Sequence, residues 1–177
     1  FQLNDLGFLP RNNLKSFNYD NTWKNHVFAE SSPFQEHQMG GGLNYEENSD
    51  GLTLNRSLRF RDAWYLKDSS WGQWVLTVED EAHDDLLTRG NNILNLDAGT
   101  ELDIFYVSES SGKFRYHLHA TFYDKTVNGK GSLLHAHPSY YFTDNYVMTL
   151  GLWYTTAEDW LLWQERNRVN SFDREEL

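Results

Sequence analysis

The chain has 177 residues, of which 39% are hydrophobic and 16% aromatic, with no cysteine and a formal net charge of −11. That charge excludes nucleic acid as a partner, since nothing here would neutralise phosphates. The missing cysteines exclude a disulfide framework and thiolate chemistry, which suits a bacterial envelope protein.

No apolar run approaches the roughly 20 residues of a membrane-spanning helix. The densest, Trp160-Leu161-Leu162-Trp163, is far shorter. Helical membrane proteins are therefore excluded and β-barrels stay open. Plentiful aromatics with few aliphatic residues suit half-exposed strands better than a packed helical core.

Residues 1–13 lack alternation, and Pro10 breaks any ladder there, so a short leading strand and a turn are expected. The chain starts at Phe1 without a Met or a signal peptide, which reads as a processed product or a fragment. From Lys15 the odd positions Phe17, Tyr19, Trp23, Val27 and Ala29 share a face, predicting a strand to about Ala29. After the turn Glu30-Ser31-Ser32-Pro33, the stretch Gln35–Glu46 aligns Met39, Gly41, Leu43 and Tyr45. Its run Gly40-Gly41-Gly42 suggests a bulge or a close approach of backbones.

Leu52–Leu66 then places Leu52, Leu54, Leu58, Phe60 and Trp64 in phase. Arg56 falls in that phase too, where facing lipid at the midplane would cost roughly 2–4 kcal/mol. It must sit near an interface, follow a bulge, or count against a barrel. Trp71–Glu79 aligns Trp74, Leu76 and Val78, residues 80–97 form the one long loop, and Thr100–Ser108 follows as a strand.

The stretch Lys113–Phe142 reads as two strands joined by the polar turn Asp124–Lys130. Phe114, Tyr116, Leu118, Ala120 and Phe122 share one face with Leu134, Ala136, Pro138, Tyr140 and Phe142. His117, His119, His135 and His137 fall on the other. Folding about Val127 brings His117 opposite His137 and His119 opposite His135. Strands at Tyr146–Tyr154 and around Trp160–Arg166 complete the pattern, and residues 167–177 form a polar tail without strand character.

No helix carries convincing caps. The fold class is all-β, an antiparallel up-and-down meander of about nine strands. A soluble sandwich and an outer-membrane barrel both write such alternation. Long strands with aromatics near their ends (Trp64 and Tyr65, Trp71 and Trp74, Tyr140 and Tyr141, Trp153 and Tyr154) favour part of a transmembrane β-barrel with interfacial girdles.

Two short stretches carry a resemblance. Asn4-Asp5-Leu6-Gly7-Phe8-Leu9 and Asp84-Asp85-Leu86-Leu87-Thr88-Arg89-Gly90 resemble signatures of a family of uncharacterised bacterial outer-membrane proteins. That family has an N-terminal carbohydrate-binding-type β-sandwich followed by a large C-terminal barrel. The resemblance covers most of the chain as an internal stretch of the barrel. It implies a single segment, 1–177, of a larger barrel completed by further sequence or another chain. The sandwich, the early strands and an aromatic-ended terminal strand are lacking, and His137-Pro138 stands where the family would have Arg-Pro.

Four of the seven histidines lie in the central hairpin. Same-face neighbours on a strand are ~6.5–7 Å apart and cross-strand partners ~4.5–5.5 Å apart, within reach of a shared metal ion. His117, His119, His135 and His137 are thus candidate ligands for Zn²⁺ or Cu²⁺, three of them leaving an open position. A polar lumen wall without metal is the reading composition favours, and a cluster titrating in the imidazole range is a third.

The acidic loop Glu79–Asp85 could hold Ca²⁺ but has no EF-hand spacing, and a solvated loop is the simpler reading. Arg89-Gly90 can anchor the loop to an acidic residue. Glu101-Leu102-Asp103-Ile104-Phe105-Tyr106 is similar to the catalytic strand of laminarinase-type glucanases. Retaining glycosidases need two carboxylates ~5–5.5 Å apart, and Phe105 and Tyr106 occupy the positions for the second. Phosphate loops, nucleophile elbows and His-Glu-x-x-His are absent, so no enzymatic activity is expected.

The expected function is passage, docking or anchoring in the outer membrane of a Gram-negative bacterium, linked to glycans if the family's sandwich is present. Its partners would be outer-membrane lipid, other barrel segments or chains, and glycans. The alternative is a secreted soluble β-sandwich that binds or hydrolyses carbohydrate.

Overall fold

The computed structural model describes residues 14–85, 93–125, 129–143 and 145–157. The leading segment 1–13, Arg89-Gly90, the strand around Trp160–Arg166 and the tail 167–177 lie outside them. So do the first signature and most of the second.

Alternation becomes β1 (Leu14–Asn25), β2 (Phe34–Asn48), β3 (Thr53–Leu66), β4 (Trp71–Glu79), β5 (Ala82–Asp84) and β6 (Leu94–Leu96). It continues as β7 (Gly99–Val107), β8 (Phe114–Lys125), β9 (Gly129–Thr143), β10 (Tyr146–Thr149) and β11 (Leu152–Ala157). The main sheet is antiparallel and runs β1-β2-β3-β4-β7-β8-β9, with β10 and β11 both against β9. β5 and β6 form a small hairpin within the β4–β7 loop. Among the described residues there is no helix, and the sheet is open, with edges at β1 and at β10–β11.

The expected loop 80–97 thus carries a hairpin. Beyond it two expected strands change, and one of two alternatives for the glycines holds. The first strand stops at Asn25, not Ala29, because the Asn25 side chain accepts the Val27 amide at 3.0 Å and turns the chain out of the ladder. The triple glycine is no bulge: pairing is regular through Gly40–Gly42, and the β2 register shifts fall at Phe34/Glu36 and Glu46/Glu47. A Cβ at Gly40 would lie 2.6 Å from the Asn21 carbonyl oxygen, so the glycines serve close approach. The single strand Tyr146–Tyr154 is two, β10 and β11, although Met148↔Tyr140 and Leu152↔Ala136 keep one register. Leu150 donates to the Pro138 carbonyl at 2.9 Å, but Pro138 has no N–H to return, and the ladder lapses there.

The two faces of the sheet differ in kind. Cross-strand rows such as Phe60–Leu76–Leu102–Phe122 and Trp74–Ile104–Ala120–Leu134 make one face apolar. Among the described residues nothing covers it: Leu43, Leu58, Phe60, Ile104, Leu118, Phe122 and Leu134 are each between 38% and 50% exposed. Ala63 and Ala82 are the only buried hydrophobic residues among the described ones.

Polar residues on this face are partnered. His37 Nε2 lies 2.6 Å from Asp62 Oδ1, with the Trp23 ring edge-on at 6.2 Å. Arg56 sits at the loop end of β3 and pairs with Asp80, whose amide donates to the Arg56 carbonyl at 2.8 Å. Arg56 also lies beside the Glu46/Glu47 register shift, being the partner of Tyr45.

At the opposite end, Asp68 accepts the Ser70 hydroxyl at 2.6 Å and the Ser70 amide at 2.9 Å, fixing the β3–β4 turn. These bonds hold its carboxyl below the usual range, the hydroxyl contributing most.

Candidate functional site

The polar face is concave. One cavity of about 740 Å³ is lined from six strands, by Asn18 and Asp20 of β1 through to His119 and Lys125 of β8. Several of its charges are paired. The Lys125 ammonium reaches Glu79 at 2.9 Å and Glu101 at 3.1 Å. Outside this cavity, on the same face, Arg61 donates to Thr22 at 3.2 Å and Gln38 at 3.3 Å. The glucanase-like pair lines this cavity, Glu101 held by Lys125 and Asp103 accepting the Thr121 hydroxyl at 2.7 Å. Phe105 is the next residue along that face.

The hairpin β8–β9 pairs about Val127, with Lys125↔Gly129, His117↔His137 and His119↔His135 as Cα partners. This is the register the alternation predicts. The four histidines thus occupy the corners of a rectangle on one face, and the structure brings three together. Ring centroids are 4.1 Å apart for His135–His137, 4.4 Å for His117–His137 and 5.4 Å for His117–His135. One ligand nitrogen from each of the three lies within 4.8 Å of the others. His135 and His137 face each other through their Nε2 atoms at 2.5 Å.

His119, the fourth candidate, turns away. Its Nε2 lies 3.3 Å from Asp103 Oδ1 and 3.3 Å from Thr121 Oγ1 on the β7 side. Two hydrogen-bond partners hold it there, where the neighbouring imidazoles would offer at most one.

Aromatic rings wall the triad. Phe105 stacks on His117 at 6.2 Å, and Trp153 of β11 stacks on His135 at 4.9 Å while meeting His137 edge-on at 5.0 Å. Trp153 folds back over Gly151, where any Cβ would collide with its ring. Sequence reasoning placed Trp153 only as a strand-end aromatic. Its odd parity beside Leu152, continued across the hairpin register, points to His135.

The carboxylates of the acidic loop disperse instead of converging. Glu79 goes to Lys125, Asp80 to Arg56, and Asp85 accepts from Asn48 at 3.1 Å. Among the described residues the histidine triad is the one group of three or more metal-type ligands brought together.

No protein-family model matches this chain, and neither a curated protein nor a solved structure does.

Proposed function

We propose that the chain is a segment of a transmembrane β-barrel in a Gram-negative outer membrane, with lipid on its apolar face and a polar lumen on the other. The carrying observation is the uncovered apolar face. Finishing the burial of Leu43, Leu58, Phe60, Ile104, Leu118, Phe122 and Leu134 is worth, together, on the order of 10 kcal/mol. That equals the whole net stability of an ordinary domain. Such a face needs a cover, and lipid fits its dimensions. From the Arg56 row to the Trp64 row is eight residues along β3, roughly 26 Å of strand, which at the ~40° tilt of barrel strands rises about 20 Å, of the same order as the ~25 Å apolar band of outer-membrane barrels. Tyr45 and Phe17 lie at one end of that span, and Tyr106, Tyr116 and Phe114 at the other.

The open edges at β1 and β10–β11 call for further strands, from more of this polypeptide or from another chain. The family resemblance is consistent with that need and brings the glycan link. The charged cavity suits passage or docking of polar solutes. Longer loops lie outside in bacterial barrels, so the β4–β7 loop is assigned to the exterior. Protease should cut it on intact cells; cutting only after the outer membrane is permeabilised means the opposite orientation.

Spin labels at Leu118 and Thr121 test the membrane assignment. A lipid-soluble quencher should reach the label at 118 and spare that at 121, in protein that needs detergent for extraction. Equal accessibility in a protein soluble without detergent would favour the secreted carbohydrate-binding sandwich instead.

A further inference from the structure

We propose that His117, His135 and His137 form a transition-metal site. It would take one divalent ion of the Cu²⁺ or Zn²⁺ type through three imidazole nitrogens and keep a fourth position for water or a solute ligand. The site lies on the polar face and does not depend on what covers the apolar one.

Three observations converge. The first is reach. Two ligands at ~2.0–2.1 Å from a metal in tetrahedral array stand roughly 3.3 Å apart. The nitrogens of the triad lie within 4.8 Å of one another, so side-chain rotations of about an ångström close the set around an ion.

The second is unspent bonding capacity. Among the described residues no carboxylate pairs with His117, His135 or His137, whereas His37 and His119 each have an aspartate. A neutral imidazole has one N–H and one lone pair. Facing Nε2 atoms on His135 and His137 therefore offer at most one hydrogen bond between them. A metal ion uses both lone pairs, and that of His117, at once.

The third is the exclusion of the fourth corner. Asp103 and Thr121 hold His119 Nε2 away from the group, which leaves an incomplete, three-histidine shell instead of a closed four-histidine one. Three protein ligands with an open position is the arrangement of zinc sites that act on a bound water or solute.

The ligand types set the ion. Imidazoles without thiolate suit Zn²⁺, Cu²⁺ and Ni²⁺, and Cu²⁺ binds tightest in that series. The ligands must be deprotonated, so protons compete with the ion for them and acid should release it.

The test uses the full chain, folded in detergent micelles, stripped with chelator and titrated with Cu²⁺ and then Zn²⁺. One equivalent should bind saturably at micromolar concentration, and Cu²⁺ should quench emission from Trp153. The paramagnetic resonance spectrum of the Cu²⁺ form should carry hyperfine structure from three imidazole nitrogens. His135→Gln with His137→Gln should weaken binding ~100-fold or more, while His119→Gln stays within about threefold, strand circular dichroism being unchanged in both. Absence of saturable binding, a spectrum without imidazole nitrogens, or equal loss from His119→Gln overturns the site. The resonance spectrum needs no variant, so it decides even if the double replacement misfolds. A protein that proves soluble without detergent leaves these outcomes as they are and bears only on the membrane assignment.

Discussion

Histidines occur on both faces of this one sheet, and they have met opposite fates. On the apolar face His37 holds an aspartate at hydrogen-bond distance beneath a tryptophan edge. On the polar face His117, His135 and His137 gather with no carboxylate among the described residues and turn toward one another. An imidazole amid apolar neighbours needs a dedicated partner, because a polar group withdrawn from water without one costs about 1–3 kcal/mol. On a polar, solvated wall that demand is relaxed, and lone pairs can stay uncommitted. The commitment of each histidine, more than its exposure, separates a structural role from a ligand role.

Removing the partner on the apolar side should have the largest effect. Asp62→Ala is expected to lower stability by about 1–3 kcal/mol, read as a shifted midpoint of chemical unfolding, and Asp62→Asn by less than half as much. No shift for Asp62→Ala would remove the distinction between the two faces. Next in size is the converse change on the polar side. Asp103→Ala releases His119, which can then join the triad, so Zn²⁺ affinity should rise about tenfold, equivalent to ~1.4 kcal/mol. Unchanged affinity would mean that Asp103 is not what holds His119 out.

Trp153→Leu should loosen metal binding by about threefold, since the indole orients His135 without ligating. It should also abolish most of the fluorescence quenching by Cu²⁺. The smallest effect belongs to Arg56→Gln. Its ion pair with Asp80 stands on the apolar side but is more than half exposed on both partners, so its loss should cost under ~0.5 kcal/mol. A larger loss would show that this end of β3 is better buried than the open sheet suggests.

The alternation of Phe114–Phe122 and Leu134–Phe142 made the hairpin legible, and the polar turn centred on Val127 fixed its register. Parity assigns a histidine to a face but says nothing of which way its ring rotates. That is why His119 could not be told from its three neighbours: its choice depends on Asp103, one strand further on, whose register the sequence left unassigned. Pro138 was visible, yet its effect falls on the facing strand, where Leu150 and Gly151 break the ladder. His37 and Asp62 lie in phase with Met39 and Phe60, so they were detectable as polar intrusions in the way Arg56 was. Their pairing needed the β2–β3 register. The ends of the chain lie outside the described residues, and closure of the sheet was not legible from alternation alone.

Gly151 gives the lapse at Pro138 a consequence. The indole of Trp153 lies where a side chain at 151 would have to be, and it is that indole which leans on both His135 and His137. Position 151 therefore works as a wedge point: a single added methyl would lever the indole off the imidazoles, with every nitrogen ligand left in place. How closely that ring packs on the cluster is set by a residue that offers it no ligand at all.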